Sequence, residues 1–187
     1  MRKQKHKADD EERKKWQNPL KVLPEIGVKP GINFVDAGCG NGFFALPAAR
    51  IIGPSGRVWG FDISSAKIDS LKDTALREGL SNLELAVGRA EELIVCNGCA
   101  DIVFYGVVLH DFTDPVKAAA NARIMLKPGG KLVNLDWKKT RMTFGPSLEK
   151  RFDVKQASDI IKSAGFAIDS VDESGLYHYI ITAKPCF

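Results

Sequence analysis

The sequence predicts an open α/β sheet with helices on both faces, finished by an antiparallel hairpin. Three observations carry this. Apolar and β-branched runs of strand length alternate with longer amphipathic stretches from Ile32 onward. Those stretches bear helix start and stop residues. The last two strand candidates are joined by a link too short for a crossover helix, so they must pair antiparallel, whereas the earlier ones pair in parallel through right-handed crossovers.

Along the chain, residues 1 to 15 hold seven Lys/Arg against four Asp/Glu, which is +3 of the net +4 carried by the 187 residues. This basic arm is either a solvated face or a contact for phosphates or acidic headgroups. The segment NPLKVLPEIGVKPG (18 to 31) sets Leu20, Val22, Leu23 and Ile26 ahead of a Pro-Gly stop and reads as a short helix. Residues 1 to 29 are assigned to the same domain as residues 30 to 187. Strands are expected at 32 to 37, 57 to 63, 82 to 88, 100 to 108 and 131 to 137. Between them, Ser64 or Ser65 caps a helix that runs to about Glu78 and stops at Gly79. Asp114 and Pro115 start another, which Lys127-Pro128-Gly129-Gly130 ends. Asp153 and Gln156 form a capping-box-like start to DVKQASDIIKSAG. FAIDSVDES and YHYIITAK, separated by Gly175-Leu176, form the hairpin.

With 44% hydrophobic and 27% charged residues, the composition fits one globular domain with a sizeable core. No apolar run reaches the roughly 18 residues of a membrane span, and no apolar stretch follows the opening RKQKHK, so a cytoplasmic location is expected. Four cysteines are too few for a disulfide framework, and reduced thiols are expected. Cys96 and Cys99 flank Asn97-Gly98; without a second pair they do not make a zinc site, the Asn-Gly between them is a common turn, and no metal is expected.

In INFVDAGCGNGFFAL (32 to 46) the first strand runs into Asp36 and then Gly38, Gly40 and Gly42. Glycines let a turn approach a ligand without Cβ atoms in the way. The spacing G-x-G-x-G, with Phe43 following, departs from the G-x-G-x-x-G of dinucleotide sites, and Asp36 would repel a phosphate. An acid there suits a ligand bearing an ammonium and a sulfonium, such as S-adenosylmethionine. Asp62 closes the second strand 20 residues after Gly42, where an acid accepts hydrogen bonds from ribose hydroxyls. Both acids also have a plain structural reading as caps of the following turn or helix.

VDAGCGNGFFAL, GFDIS, VGRAEEL, ADIVFYGVVLHDFTDP and LKPGGKLVNLDWKK, in this order, resemble the successive motifs of class I S-adenosylmethionine-dependent methyltransferases, especially the type 11 and ubiquinone/menaquinone-biosynthesis-like group. The resemblance covers roughly residues 30 to 184. It implies a Rossmann-like, doubly wound, mostly parallel seven-stranded sheet with an antiparallel C-terminal hairpin strand. It also places the methionine part of the cofactor against Asp36, Gly38 and Gly40, the ribose on Asp62, the adenine face along Ile63, and Gly106 and Val107 beside the reactive methyl. Where the family has an acid for the adenine amino group, this chain has Arg89, which cannot accept a hydrogen bond. Adenine then either stacks under that guanidinium or is held by the Ala90 backbone and Glu91.

Methyl transfer from a sulfonium asks mainly for alignment and exclusion of water. Where the acceptor must lose a proton, His110, Asp111, Asp136 and His178 are the candidate bases, with His110 and Asp111 best placed after the fourth strand. LHDFTDP also reads as capping and packing chemistry. Trp16 and Trp137 either wall an apolar acceptor pocket or pack. A small-molecule or lipophilic acceptor is expected, transferred to by a monomer or homodimer. No Asn-Pro-Pro-Tyr type sequence follows the fourth strand, which makes nucleic acid a less favoured partner. The alternatives are an RNA methyltransferase gripping phosphates with the basic arm, a catalytically silent S-adenosylmethionine-binding protein, and a nicotinamide dehydrogenase.

Overall fold

A computed structural model describes residues 12 to 186; the first eleven residues, which hold most of the basic arm, lie outside the described residues. Seven strands form one sheet: β1 (Asn33–Ala37), β2 (Arg57–Asp62), β3 (Leu83–Val87), β4 (Ala100–Gly106), β5 (Leu126–Trp137), β6 (Phe166–Asp172) and β7 (His178–Pro185). Their order is β3-β2-β1-β4-β5-β7-β6. β1 pairs in parallel with β2 on one side and β4 on the other, so the winding reverses between β1 and β4. β7 runs antiparallel to both β5 and β6; the link between β6 and β7 is residues 173 to 177, longer than the expected Gly175-Leu176 but still too short for a crossover, so it forces the antiparallel β6–β7 pairing.

Among the described residues, five helices of seven or more residues cover the sheet. α1 (Pro19–Glu25) starts on Asn18, whose side chain accepts the Leu20 N–H at 3.0 Å, with Pro19 in the first turn. α2 (Ala45–Ile52) buries Ala45, Ala48, Ala49 and Ile52, one stripe at helical spacing. Ser64, rather than Ser65, caps α3 (Ser65–Arg77) by accepting the Lys67 N–H. Asp114 accepts the Lys117 N–H at 2.9 Å to start α4 (Pro115–Met125). α5 (Val154–Ser163) opens with a complete capping box: Asp153 accepts the Gln156 N–H at 2.8 Å and Gln156 accepts the Asp153 N–H at 3.1 Å. Asp153→Ala should cost about 1 kcal/mol, read as a lower midpoint with unchanged slope in chemical denaturation.

Strand alternation separates two apolar layers. Val35, Val103, Leu132 and Ile181 point to α4 and α5, packing on Ala118, Ala122, Met125 and Ile161. Phe34, Phe104 and Val133 point to the other face, against Leu23 of α1, Ala48 of α2 and Leu71 of α3. The sheet is thereby fixed from both sides, and the loops at its strand ends are free to build a site.

Three expectations are corrected. Lys127-Pro128-Gly129-Gly130 does follow the end of α4, but Leu126 already pairs with Ala100 before the ladder resumes at Lys131 and Ile102; the Pro-Gly-Gly segment is an irregularity inside β5. β4 stops at Gly106 instead of running to Val108, because Val107, at φ 64°, turns the chain out of the ladder. Cys96 and Cys99 are joined in a disulfide across the Asn97-Gly98 turn, which brings their Cα atoms to 6.0 Å, while Cys39 and Cys186 are free thiols.

Candidate functional site

The loops after β1, β2, β3 and β4 enclose a cavity of about 530 Å³. It sits at the carboxyl ends of the strands where the winding reverses, the place at which doubly wound sheets bind ligands. The glycine turn forms its floor. Phe61 O accepts the N–H groups of Gly38 (2.8 Å) and Cys39 (3.0 Å), tying the turn to the end of β2. Gly38, at φ 75°, has no room for a side chain: a Cβ there would lie 2.6 Å from Val108 Cγ2. Gly40, at φ 55°, lines the cavity, and a Cβ there would meet no protein atom within 4 Å.

β1 delivers Asp36 to the cavity wall with 2% of its surface exposed, and its Oδ2 has no hydrogen-bond partner. Burial pushes its pKa up to about 7; the Arg13 charge and the Ala45 backbone N–H oppose the rise, and the nearby Asp62 adds to it. β2 delivers Asp62, whose Oδ2 accepts the Gly40 N–H at 3.0 Å and whose Oδ1 accepts the Ser64 N–H at 2.9 Å. Its structural reading is therefore realised, since it ties the glycine turn to the start of α3. A carboxylate has about four acceptor positions, so capacity toward the cavity remains. Cys39 also lines the cavity, with burial holding its thiol well above the ordinary range and hence unreactive.

Ile63 lies 70% exposed on the cavity rim, and Gly88, Arg89, Ala90 and Glu91 close the side beyond β3. Arg89 donates to Thr113 Oγ1 at 2.5 Å and pairs with Glu91 at 3.6 Å. Glu91 Oε1 accepts the N–H groups of Thr113 (2.7 Å) and Asp114 (3.2 Å), and so staples the loop before α4. Burial pushes the Glu91 carboxyl up, but backbone N–H donors and the Arg89 charge outweigh it and hold it below the usual glutamate range. Ala90 O is taken up by the Asn121 side chain at 2.9 Å.

The three candidate catalytic residues separate. Asp111 lines the cavity, as do Gly106 and Val107, whereas His110 and Asp136 stand behind its wall, their side chains 3% and 2% exposed. His110 Nδ1 lies 2.7 Å from Asp136 Oδ1, and the Trp137 N–H donates to the same oxygen at 2.8 Å. His110 Nε2 lies 3.5 Å from Asp111 Oδ2. Burial depresses the His110 pKa, but the Asp136 hydrogen bond and charge, with the Asp111 charge, together raise it above the ordinary value. His178 is far from this group's role: burial and the charges of Arg13 and Arg151 lower its pKa to about 4, so it is neutral near pH 7.

Trp137 lines the cavity and joins an aromatic wall. Trp16 lies 5.2 Å from it and stacks on His178 at 5.4 Å, and Phe144 packs on both tryptophans. Behind them Arg151, 3% exposed, donates to the carbonyls of Lys138, Thr140, Phe144 and Pro146 and so pins the 138 to 150 loop. Arg13, Phe43, Phe44, Val108, Phe112 and Thr113 line the cavity without having been singled out as site residues. Phe43, standing where a dinucleotide site has its last glycine, was the one with a readable signal. Arg13 was hidden among the charges of the arm.

A family profile described as a methyltransferase domain matches residues 28 to 179. The chain is 33% identical over 130 residues to a 37.1 kDa protein in transposon TN4556 of Streptomyces fradiae, which covers 68% of this chain and 37% of that protein. It is 30% identical over 126 residues to a demethylmenaquinone methyltransferase of Staphylococcus aureus, covering 67% of this chain and 51% of the relative. The chain thus spans about half or less of the length of these relatives. A crystal structure of a SAM-dependent methyltransferase from Aquifex aeolicus superposes with a TM-score of 0.88 at 27% identity, covering 95% of both chains. With the profile match over most of its length, on this sheet order and this cavity, the chain belongs to the methyltransferase-domain family of class I, S-adenosylmethionine-dependent enzymes.

Proposed function

We propose that the chain transfers the methyl group of S-adenosylmethionine to a small, largely apolar acceptor docked against Trp137 and Phe112. The observation that carries this reading is the buried, unpartnered Asp36 Oδ2 in the wall of a cavity of about 530 Å³. A buried carboxylate needs a cation or a proton, and the cofactor's ammonium provides the former. The open space over Gly40 fits a ligand that approaches the backbone closely. In this reading Asp36, Gly38 and Gly40 hold the methionine end and Asp62 the ribose. Ile63 lies along one face of adenine, with Arg89, Ala90 and Glu91 at its edge. The Glu91 oxygen bonded to Thr113 and Asp114 makes its role there chiefly one of shaping the loop.

When bound, the cofactor supplies a methyl group already activated by its sulfonium charge. The protein then has to align the acceptor and keep water out. Gly106 and Val107 flank the space between cofactor and acceptor, and Trp137, backed by Trp16 and Phe144, is the aromatic surface that keeps water from it. Asp111 is the carboxylate that faces the acceptor and receives a proton if one must leave. His110, held by Asp136, stands behind Asp111 and orients it. The name of the Staphylococcus aureus relative supports a lipophilic acceptor of quinol or phenol type. Among the described residues no helix is long and apolar enough to cross a membrane.

Calorimetric titration with S-adenosylhomocysteine and with NADH tests the cofactor reading, the first expected to bind and the second not. Asp62→Ala should then weaken S-adenosylhomocysteine roughly 10- to 100-fold, since it removes charge-assisted hydrogen bonds. Wild-type affinity in both Asp36→Ala and Asp62→Ala would refute the assignment. Turnover is read by methyl transfer to a set of quinols, phenols and amines; tight binding with no turnover on any acceptor would favour a silent binding protein.

A further inference from the structure

We propose that Arg13 receives the carboxylate of the cofactor's amino-acid tail, so that Arg13 and Asp36 together recognise a zwitterion. This rests on the cofactor reading above and assigns to it a residue of the segment before α1. Arg13 and Asp36 line the same cavity. The Arg13 guanidinium lies 3.9 Å over the ring of Phe43, directly beyond the glycine turn, and its charge is felt at Asp36. An α-amino acid carries its ammonium and its carboxylate on one carbon. A site that offers a carboxylate to the first therefore needs a cation beside it for the second, and a guanidinium matches a carboxylate in a planar, two-bond geometry.

The aim of Arg13 is built into its own turn of helix. The N–H groups of Trp16 and Gln17 donate to Arg13 O at 3.2 and 2.8 Å, so the three side chains share a helical turn. Trp16 is fixed in the aromatic wall against Trp137 and His178. Gln17, 2% exposed, accepts from Arg13 Nε at 2.5 Å. Docking Trp16 into the wall thus turns the guanidinium toward the cavity and couples the acceptor side to the cofactor side.

The test compares ligands that differ only in the tail. S-adenosylhomocysteine, its decarboxylated amine and 5′-methylthioadenosine, which has no amino-acid tail, are titrated by calorimetry into the wild type, Arg13→Met and Arg13→Lys. Arg13→Met is expected to weaken S-adenosylhomocysteine about tenfold or more, to leave the other two within about twofold, and to be partly rescued by Arg13→Lys. In the wild type the decarboxylated amine should bind more weakly than S-adenosylhomocysteine by the same factor. Unchanged affinity for S-adenosylhomocysteine in Arg13→Met, an equal loss on all three ligands, or wild-type indifference to decarboxylation would overturn the assignment. A wild type that binds none of the three would instead overturn the cofactor reading on which it stands.

Discussion

S-adenosylhomocysteine binding is expected to strengthen as pH rises to about 7, by up to tenfold per pH unit, and to weaken again only where the ligand's own α-amino group deprotonates. The cause is Asp36. Buried in the cavity wall, it titrates at about 7, so below that pH an ammonium must displace a proton to bind. The alkaline limb belongs to the ligand: the α-amino group of a free amino acid, beside its own carboxylate, loses its charge well above the roughly 7.7 to 8.0 of a peptide α-amino group. Proton release on binding at pH 6, measured by calorimetry in buffers of different ionisation enthalpy, checks the sign directly. Asp36→Asn should abolish the acidic limb and reduce affinity at pH 7.5 by roughly 30- to 1,000-fold, the scale of a buried charge pair. A flat acidic limb in the wild type would remove Asp36 from the site. Stability without ligand follows the same group: its folded pKa is raised from 3.8, so its contribution is full below that value and is lost as pH rises to about 7. S-adenosylhomocysteine should restore that loss, and its stabilising effect on Tm should be larger at pH 7.5 than at pH 5.5.

Asp136→Ala should destabilise the protein by about 3 to 5 kcal/mol, because it strips the partner from a buried imidazole and leaves the Trp137 N–H without its acceptor. The effect is also pH-dependent. Since the folded His110 pKa is raised, the pair's contribution is fully present below about 6.5, the unfolded value, and is lost as pH rises through the folded one. The wild type should lose stability in that window and Asp136→Ala should not, which denaturant melts at pH 6 and pH 9 would show. His110→Gln tests function separately. If His110 orients Asp111 without touching the acceptor, acceptor KM changes more than the affinity for S-adenosylhomocysteine.

The succession of strands and helices was readable because hydrophobic period and helix punctuation are local. Asp153 with Gln156, Asp114 with Pro115, and the short connection between the last two strands each act within a few residues; the two caps form as their spacing predicts, and the hairpin forms with residues 173 to 177 as its loop. The same locality explains the failures. Whether Leu126 pairs before or after Pro128 depends on Ala100, a residue of another strand. The Cys96–Cys99 bond depends on how tightly one turn closes, which composition does not report.

The site divides along the same line. A glycine turn with an acid before it and a second acid one strand later must meet at the sheet's carboxyl edge, because parallel strands with right-handed crossovers bring consecutive strand ends together, and that much is written in the order of residues. Which side chains face the cavity is settled by packing in three dimensions. It set Asp111 in the wall with His110 and Asp136 behind it, and it brought Arg13 from the arm to the side of Asp36. Exposure and long-range charge are properties of packed surfaces between segments distant in the chain, and no local spacing encodes them.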